Sequence, residues 1–278
     1  MPEKQQEIRI ISHSNLFYWW PVWAVGFLMA VITFFDGHRM AIVPKDTKAY
    51  HGATVTVKVG NDETRLGDRD AVVLPEGARL PGKTDTTTPE DPRLHISQNK
   101  NLGVLYAVVL LLVIVITNVP LRGMWSVVVI VVVVLLSIIF ALAHLWETIF
   151  EYISLLHIYI NAGGYLLISM GLFVIWLLTF LFFDQQIYMI FTPGQLKVCT
   201  EIGGGEKAYD TTGMTIEKQR SDLFRHWFLG LGSGDLIVNT SGAQAHHFDL
   251  QNVLFVGRKV QEIEEMLRER AVGRGNRT

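Results

Sequence analysis

Apolar and polar positions in this chain fall into long blocks. Four blocks, residues 16–35, 102–119, 124–143 and 162–183, contain no acidic or basic side chain, and from 127 to 136 every residue is a branched aliphatic. About 20 apolar residues wound as a helix rise roughly 30 Å, the thickness of a bilayer's hydrocarbon core. A helix satisfies its own backbone, which makes it the usual form for such a run in lipid. Residues 102–116 are almost all aliphatic, each worth about −0.3 to −0.6 kcal/mol near the bilayer centre, so this block inserts without help. One such run could be a buried core helix of a soluble protein. Four of them, two separated only by residues 120–123, predict an integral membrane protein with four transmembrane helices.

The first block reads as a retained helix, not a cleaved leader. The segment 1–15 mixes Glu3, Lys4, Glu7 and Arg9, and offers no basic leader running to a small-residue cleavage site. Phe17, Tyr18, Trp19, Trp20 and Trp23 form an aromatic belt suited to a membrane interface. Pro21 falls in the first helical turn, where a missing N–H is tolerated.

Polar blocks separate the spans. Residues 36–101 exceed an ordinary connection and should hold structure of their own. Period-two alternation at 53–59, a turn at 60–62 and a short apolar run at 71–74 predict a hairpin or three-stranded cap, while 81–92 reads as a linker. In the connection 144–161, His144, Glu147, Glu151 and Ser154 share about an 80° helical arc opposite an apolar face. Either the third helix continues amphipathically, or a separate helix lies in the interface.

After residue 183, segments 186–191 and 195–201 flank Pro193-Gly194 as a hairpin, and 203–205 marks a turn or link. Further strands are expected at 214–218, 235–240 and 245–250. Residues 256–270 place Val260, Ile263 and Leu267 at helical spacing, with charges laced at i, i+3 and i+4 on the outer face. Several antiparallel strands followed by one amphipathic helix predict a β-barrel closed by that helix, occupying 184–270, with 271–278 a fraying tail.

The stretches YMIFTPGQLKV (188–198), LGLGSGDLIVNT (229–240) and HFDLQNVLFVGRK (247–259) give this region the order strand–turn–strand, glycine-rich turn before a short strand, and last strand into helix. In that order it resembles the bacterial pleckstrin-homology-like family, whose small domains are often tethered to transmembrane helices. The resemblance covers roughly 186–270 and departs from the family at the extra glycines 203–205 and the aromatic stretch 223–228. It implies a β-rich fold with a C-terminal helix; it carries over no binding or catalytic residues.

Charge and composition narrow the function. A net charge of −2 and mixed signs in both polar regions argue against nucleic-acid binding. The single cysteine, Cys199, excludes an intrachain disulfide. Four spans put both termini on one side. Basic residues near the span ends number about four on that side against five on the other, so the loop count leaves orientation open. Arg122 in the short second connection, set against acids alone in 144–161, favours cytoplasmic termini in a bacterial inner membrane.

Candidate chemistry is sparse. The GLGSGD stretch at 230–235 has GxGxG spacing and a strand after it, so it reads as a hairpin turn rather than a phosphate cradle. His144, Glu147 and Glu151 have the donor types for a zinc or iron site or a proton relay. Yet 124–143 already spans the bilayer, which places these carboxylates at or beyond the interface. His246 and His247 fall on opposite faces of a strand. His13 and His38 bracket the first span at opposite ends. Thr117 and Asn118 suit hydrogen bonds between helices. Lys218, Arg220, Arg225, His226 and Trp227, interleaved with aromatics, suit anionic head groups, at about 1 kcal/mol per charge near the surface; an ordinary barrel edge is the competing reading.

The expectation is a non-enzymatic scaffold or interaction module. Its tail domain would bind a protein partner or lipid head groups, with homo-oligomers possible and no cofactor required. The alternative is a subunit of a membrane transporter or membrane enzyme that uses His144, Glu147 and Glu151 for protons or metal.

Overall fold

The computed structural model describes residues 7–59, 62–80, 91–119, 123–200, 205–219, 222–230, 232–241 and 245–275. The chain opens with β1 (Ile8–Ile11), and a tight turn over Asn15–Trp19 leads into α1 (Trp20–Phe35). Beyond α1 come β2 (His38–Met40), β3 (Lys48–Val59), β4 (Asp62–Val73) and β5 (Leu94–Ile96). Then follow α2 (Asn101–Asn118), α3 (Met124–Leu142), α4 (Leu145–Ser154) and α5 (Ala162–Leu178), which runs on through a wider turn at Thr179–Phe183 and a tighter one at Asp184–Gln186. The last third holds β6 (Ile187–Phe191), β7 (Gln195–Thr200), β8 (Gly205–Asp210), β9 (Thr215–Gln219), β10 (Gly234–Asn239), β11 (His247–Val253) and α6 (Val256–Gly275).

The apolar blocks become four helices long and apolar enough to cross a membrane: Asn15–Phe35, Asn101–Asn118, Met124–Leu142 and Ala162–Gln186. Three of them pack together. Val22, Met29 and Ala30 of α1 meet Tyr106 and Val113 of α2 and Tyr165 of α5. A Cβ at Gly26 would collide with the Ser169 hydroxyl, so the missing side chain lets α1 and α5 close up, as small residues do between membrane helices. Thr117 and Asn118 bond back to Val113 O and Ile114 O of their own helix instead of crossing to another. The third span stands apart, with Ser126 its one buried residue and α4 its main neighbour, which suits its unbroken aliphatic surface to lipid.

The third helix does not continue past residue 143. His144 takes a left-handed backbone (φ 53°) and separates α3 from α4. Trp146 then donates to Ser137 O at 3.0 Å, folding the short helix back against α3. On the same side of the spans, β3 and β4 pair from Lys48↔Val73 to Val59↔Asp62, a hairpin closing where the turn was expected. The hairpin is two-stranded. A separate β2–β5 pair ties the two ends of the 36–101 loop together.

The tail domain has two antiparallel sheets, ordered β1-β6-β7-β8 and β11-β10-β9, which no ladder joins into a closed barrel among the described residues. Two of the seven strands were not foreseen. β8 (GEKAYD) has hardly any apolar alternation and forms because β7 offers it a ladder from Gln195↔Asp210 to Thr200↔Gly205. β1 comes from the far end of the sequence, in register Ile8↔Phe191 to Ile11↔Tyr188. Its alternation drives the pairing: Ile8 and Ile10 point into the core, while Arg9 points out and stacks over the Tyr188 ring at 3.7 Å. Each buried isoleucine contributes about 1.5–3 kcal/mol. The core between the sheets is completed by Met189, Phe191, Leu196, Leu236 and Val238, and α6 covers it with Val256, Val260, Ile263 and Met266. All four spans are therefore inserted between the first and second strands of one sheet.

Candidate functional site at the membrane–domain junction

An insertion needs two chain crossings between the spans and the domain, and both are pinned by buried polar groups. At the entry, Tyr18 is fully buried and its hydroxyl donates to Asn252 Oδ1 at 2.9 Å. The same oxygen lies 3.0 Å from Ser233 Oγ and 3.2 Å from His226 Nδ1. Trp20 Nε1 donates to Leu229 O at 2.9 Å. At the exit, the Asp184 carboxylate meets His13 Nδ1 at 3.0 Å and accepts the Ser14 N–H at 3.1 Å. His13 also stacks on Phe17 and Phe180, with centroids 5.5 and 5.1 Å apart. Trp176 Nε1 donates to Phe17 O at 3.0 Å, joining the ends of the first and last spans directly.

Behind Tyr18 the network runs deeper. Asp235 accepts from Arg225 Nη2 at 3.2 Å and from the Asn252 N–H at 3.0 Å, and lies 3.5 Å from His226 Nε2. Burial pushes this carboxyl up, but the His226 and Asn252 hydrogen bonds and the Arg225 charge outweigh it and hold Asp235 below the ordinary carboxylate range. Asn252 sits at φ 57°, a left-handed position asparagine tolerates. From there its Nδ2 reaches back to His13 O at 2.8 Å and Asn15 Oδ1 at 3.2 Å. One asparagine thus ties the last strand to the segment between β1 and the first span. Gly230 completes the fit, because a Cβ there would strike Ser233 Oγ, Tyr18 Cε1 and the Arg225 carbonyl.

Ser233, His226 and Asp235 are residue types that serve nucleophilic catalysis when the hydroxyl faces a cleft. Here Ser233 is fully buried and its oxygen contacts Tyr18 and His226. The arrangement is suited to holding two parts of the chain together.

The basic–aromatic patch is split by the fold. Arg225 and His226 are 5% and 1% exposed and belong to the network: Arg225 Nη2 and His226 Nε2 face Asp235, and the Asp222 carboxylate accepts the Arg225 backbone N–H. Lys218 lies exposed on β9, Trp227 is 79% exposed beside Phe228, and Arg220 lies outside the described residues. His144 and Glu147 form an exposed pair at 3.6 Å, and Glu151 lies one turn further along α4, also exposed. Among the described residues no group of three or more His, Cys, Asp or Glu is placed to hold a metal ion. His246 stacks near Tyr209 and Phe248, whereas His247 bonds Asn239, so the two do not converge.

Sequence reasoning missed Tyr18, Asp184, Asp235 and Asn252. Tyr18 and Asn252 are 234 positions apart, a separation that leaves no spacing signal. The one available hint was the Ile-Arg-Ile alternation in an otherwise polar leader. No family model, curated protein or solved structure matches the chain.

Proposed function

We propose that the protein is a non-enzymatic membrane scaffold that presents a pleckstrin-homology-like domain to a protein partner in a fixed pose over the bilayer. The carrying observation is the junction: strand β1 and the Tyr18–Asn252–Asp235 network bind the domain to the spans at both crossings. A flexible tether would need none of this. The sheets of four and three antiparallel strands with a C-terminal helix over their core support the pleckstrin-homology-like reading. Exposed Trp227, Phe228 and Lys218 suit the head-group region, since the same turn packs Phe224 and Leu229 against Ile116 at the end of α2. Among the described residues, β8 and β9 end their sheets as unpaired edges, and an edge is where a partner strand can add. A bacterial inner membrane with cytoplasmic termini remains part of this proposal.

A photo-crosslinking residue at Lys207 or Glu217, both exposed on these edge strands, tests it in native membranes. The scaffold reading expects a discrete protein adduct that survives Glu147→Gln with Glu151→Gln. Absence of any adduct, together with loss of cellular phenotype in that double variant, would favour the transporter or enzyme reading.

A further inference from the structure

On the opposite side of the spans from the tail domain lies a cavity of about 460 Å3, within the range of small-molecule sites. Ala30, Val31 and Phe34 of α1, Leu94 of β5 and Leu166 of α5 wall it. From Phe35 to Ala30 it descends about 7.5 Å along α1, so it starts at the membrane boundary and runs into the hydrocarbon. Val31, Phe34 and Leu166 are each more than half exposed, which leaves the slot open to a molecule dissolved in the bilayer.

Two features of the mouth select the ligand. The first is a flat aromatic wall. His95 lies on Phe34 with ring centroids 4.6 Å apart and 21° between the planes, and Phe35 meets Phe34 edge-on at 5.5 Å. Arg39 Nη1 donates to His95 Nε2, so the imidazole proton sits on Nδ1 and the ring is uncharged. The second is a set of neutral donors at the start of α5. Asn161 caps that helix: its Oδ1 accepts the Gly164 N–H at 2.6 Å, and its carbonyl accepts the Tyr165 N–H at 3.1 Å. With the oxygen committed, Nδ2 is a donor without a partner among the described residues. Ala162 and Gly163 line the same mouth, and the first N–H groups of a helix have no acceptor within it. A Cβ at Gly163 would meet only Asn161 Oδ1, at 3.5 Å, so open space lies beside these amides.

Together these features ask for an uncharged planar ring that carries carbonyl oxygens and an apolar tail. A saturated acyl chain would fill the slot but leave the donors and the aromatic wall unused. We infer that the cavity binds the head of a lipid-soluble quinone. Its ring lies against Phe34 and His95, one carbonyl meets Asn161 Nδ2 and the α5 amides, and its isoprenoid tail leaves past Ala30 into the bilayer. The bound ring ties β5 to the ends of α1 and α5. The site is independent of the scaffold reading, since it is built from these three elements and the α5 cap alone.

The test titrates full-length, lipid-stripped protein in detergent with a ubiquinone carrying two isoprene units, read by native mass spectrometry. One saturable site is expected. An isoprenoid alcohol of matched length should bind about tenfold more weakly, having neither a ring to stack nor a carbonyl to accept. Phosphatidylglycerol at equal concentration should not displace the quinone. Asn161→Asp keeps the capping oxygen and removes the Nδ2 donor; it should weaken quinone binding about fivefold, the equivalent of about 1 kcal/mol for one neutral hydrogen bond. Phe34→Leu should weaken quinone binding by a similar factor through lost stacking, yet leave the affinity for the alcohol unchanged. Gly163→Leu should abolish binding by filling the slot. Equal affinity for the alcohol, displacement by phosphatidylglycerol, or wild-type quinone affinity in any of the three variants that folds would each overturn the inference.

Discussion

Replacing Ile10 by alanine measures how much of the tail domain depends on a strand delivered from the far end of the chain, ahead of the four spans. Ile10 is 1% exposed and sits among Met189, Phe191 and the α6 side chains. Truncating a buried isoleucine to alanine costs about 2–5 kcal/mol, the spread reflecting how far the site collapses. β1 is only four residues long, with Ile8 and Ile10 as its buried anchors, so that loss should fall first on the β1–β6 ladder. When β1 opens, the outer amides of β6 lose their partners. Hydrogen exchange in detergent should then accelerate across 187–191 by roughly 30- to 4000-fold, at tenfold per 1.4 kcal/mol. Arg9→Ala on the same strand, facing out over Tyr188, should change exchange by less than about fivefold, because an exposed cation–π contact is worth about 0.5–1 kcal/mol. Unchanged protection of 187–191 in Ile10→Ala would refute the claim that β1 is an integral strand of this sheet.

Tyr18→Phe keeps the ring and removes the hydroxyl that meets Asn252, Ser233 and His226. It should cost about 1–3 kcal/mol, read as faster proteolytic release of the tail domain from membranes, because buried polar partners are left unmatched. Asp235 predicts an acid-side dependence. Its folded pKa is depressed, so it stabilises the domain above the unfolded value of about 4 and that contribution drains away as the pH falls through the folded pKa. Thermal unfolding from pH 7 to pH 3 should show wild type losing stability towards acid, with a flatter, lower profile for Asp235→Asn.

The spans were legible because lipid imposes one rule on every residue of a run, and the first three candidate spans, Asn15–Phe35, Asn101–Asn118 and Met124–Leu142, end within a residue of the apolar blocks. The hairpins around 60–61 and Pro193-Gly194 were equally readable from local turn chemistry and alternation. The break at His144 was one of two readings the sequence left open, since a left-handed histidine carries no compositional mark. β8 was hidden because its partner, and not its own polar sequence, makes it a strand. The junction was hidden for a deeper reason. His13, Tyr18, Asp184, His226, Asp235 and Asn252 acquire meaning only once β1 has crossed from one end of the chain to the other. The basic–aromatic cluster at 218–228 showed the same limit: proximity in sequence grouped Arg225 with Trp227, while the fold buried one and exposed the other.

Insertion of the spans between β1 and β6 can be read directly by cross-linking in native membranes. Arg9 and Ile190 are register partners, and Lys197 lies next to Ile190 on the following strand. Facing residues on adjacent strands come within disulfide reach, whereas two strands away is about 10 Å and beyond it. In a Cys199→Ser background, Arg9→Cys with Ile190→Cys should oxidise rapidly, and the two fragments produced by cleavage in the 36–101 loop should stay joined until reduced. Arg9→Cys with Lys197→Cys should remain separable. Equal cross-linking of the two pairs, or none in either, would contradict the account.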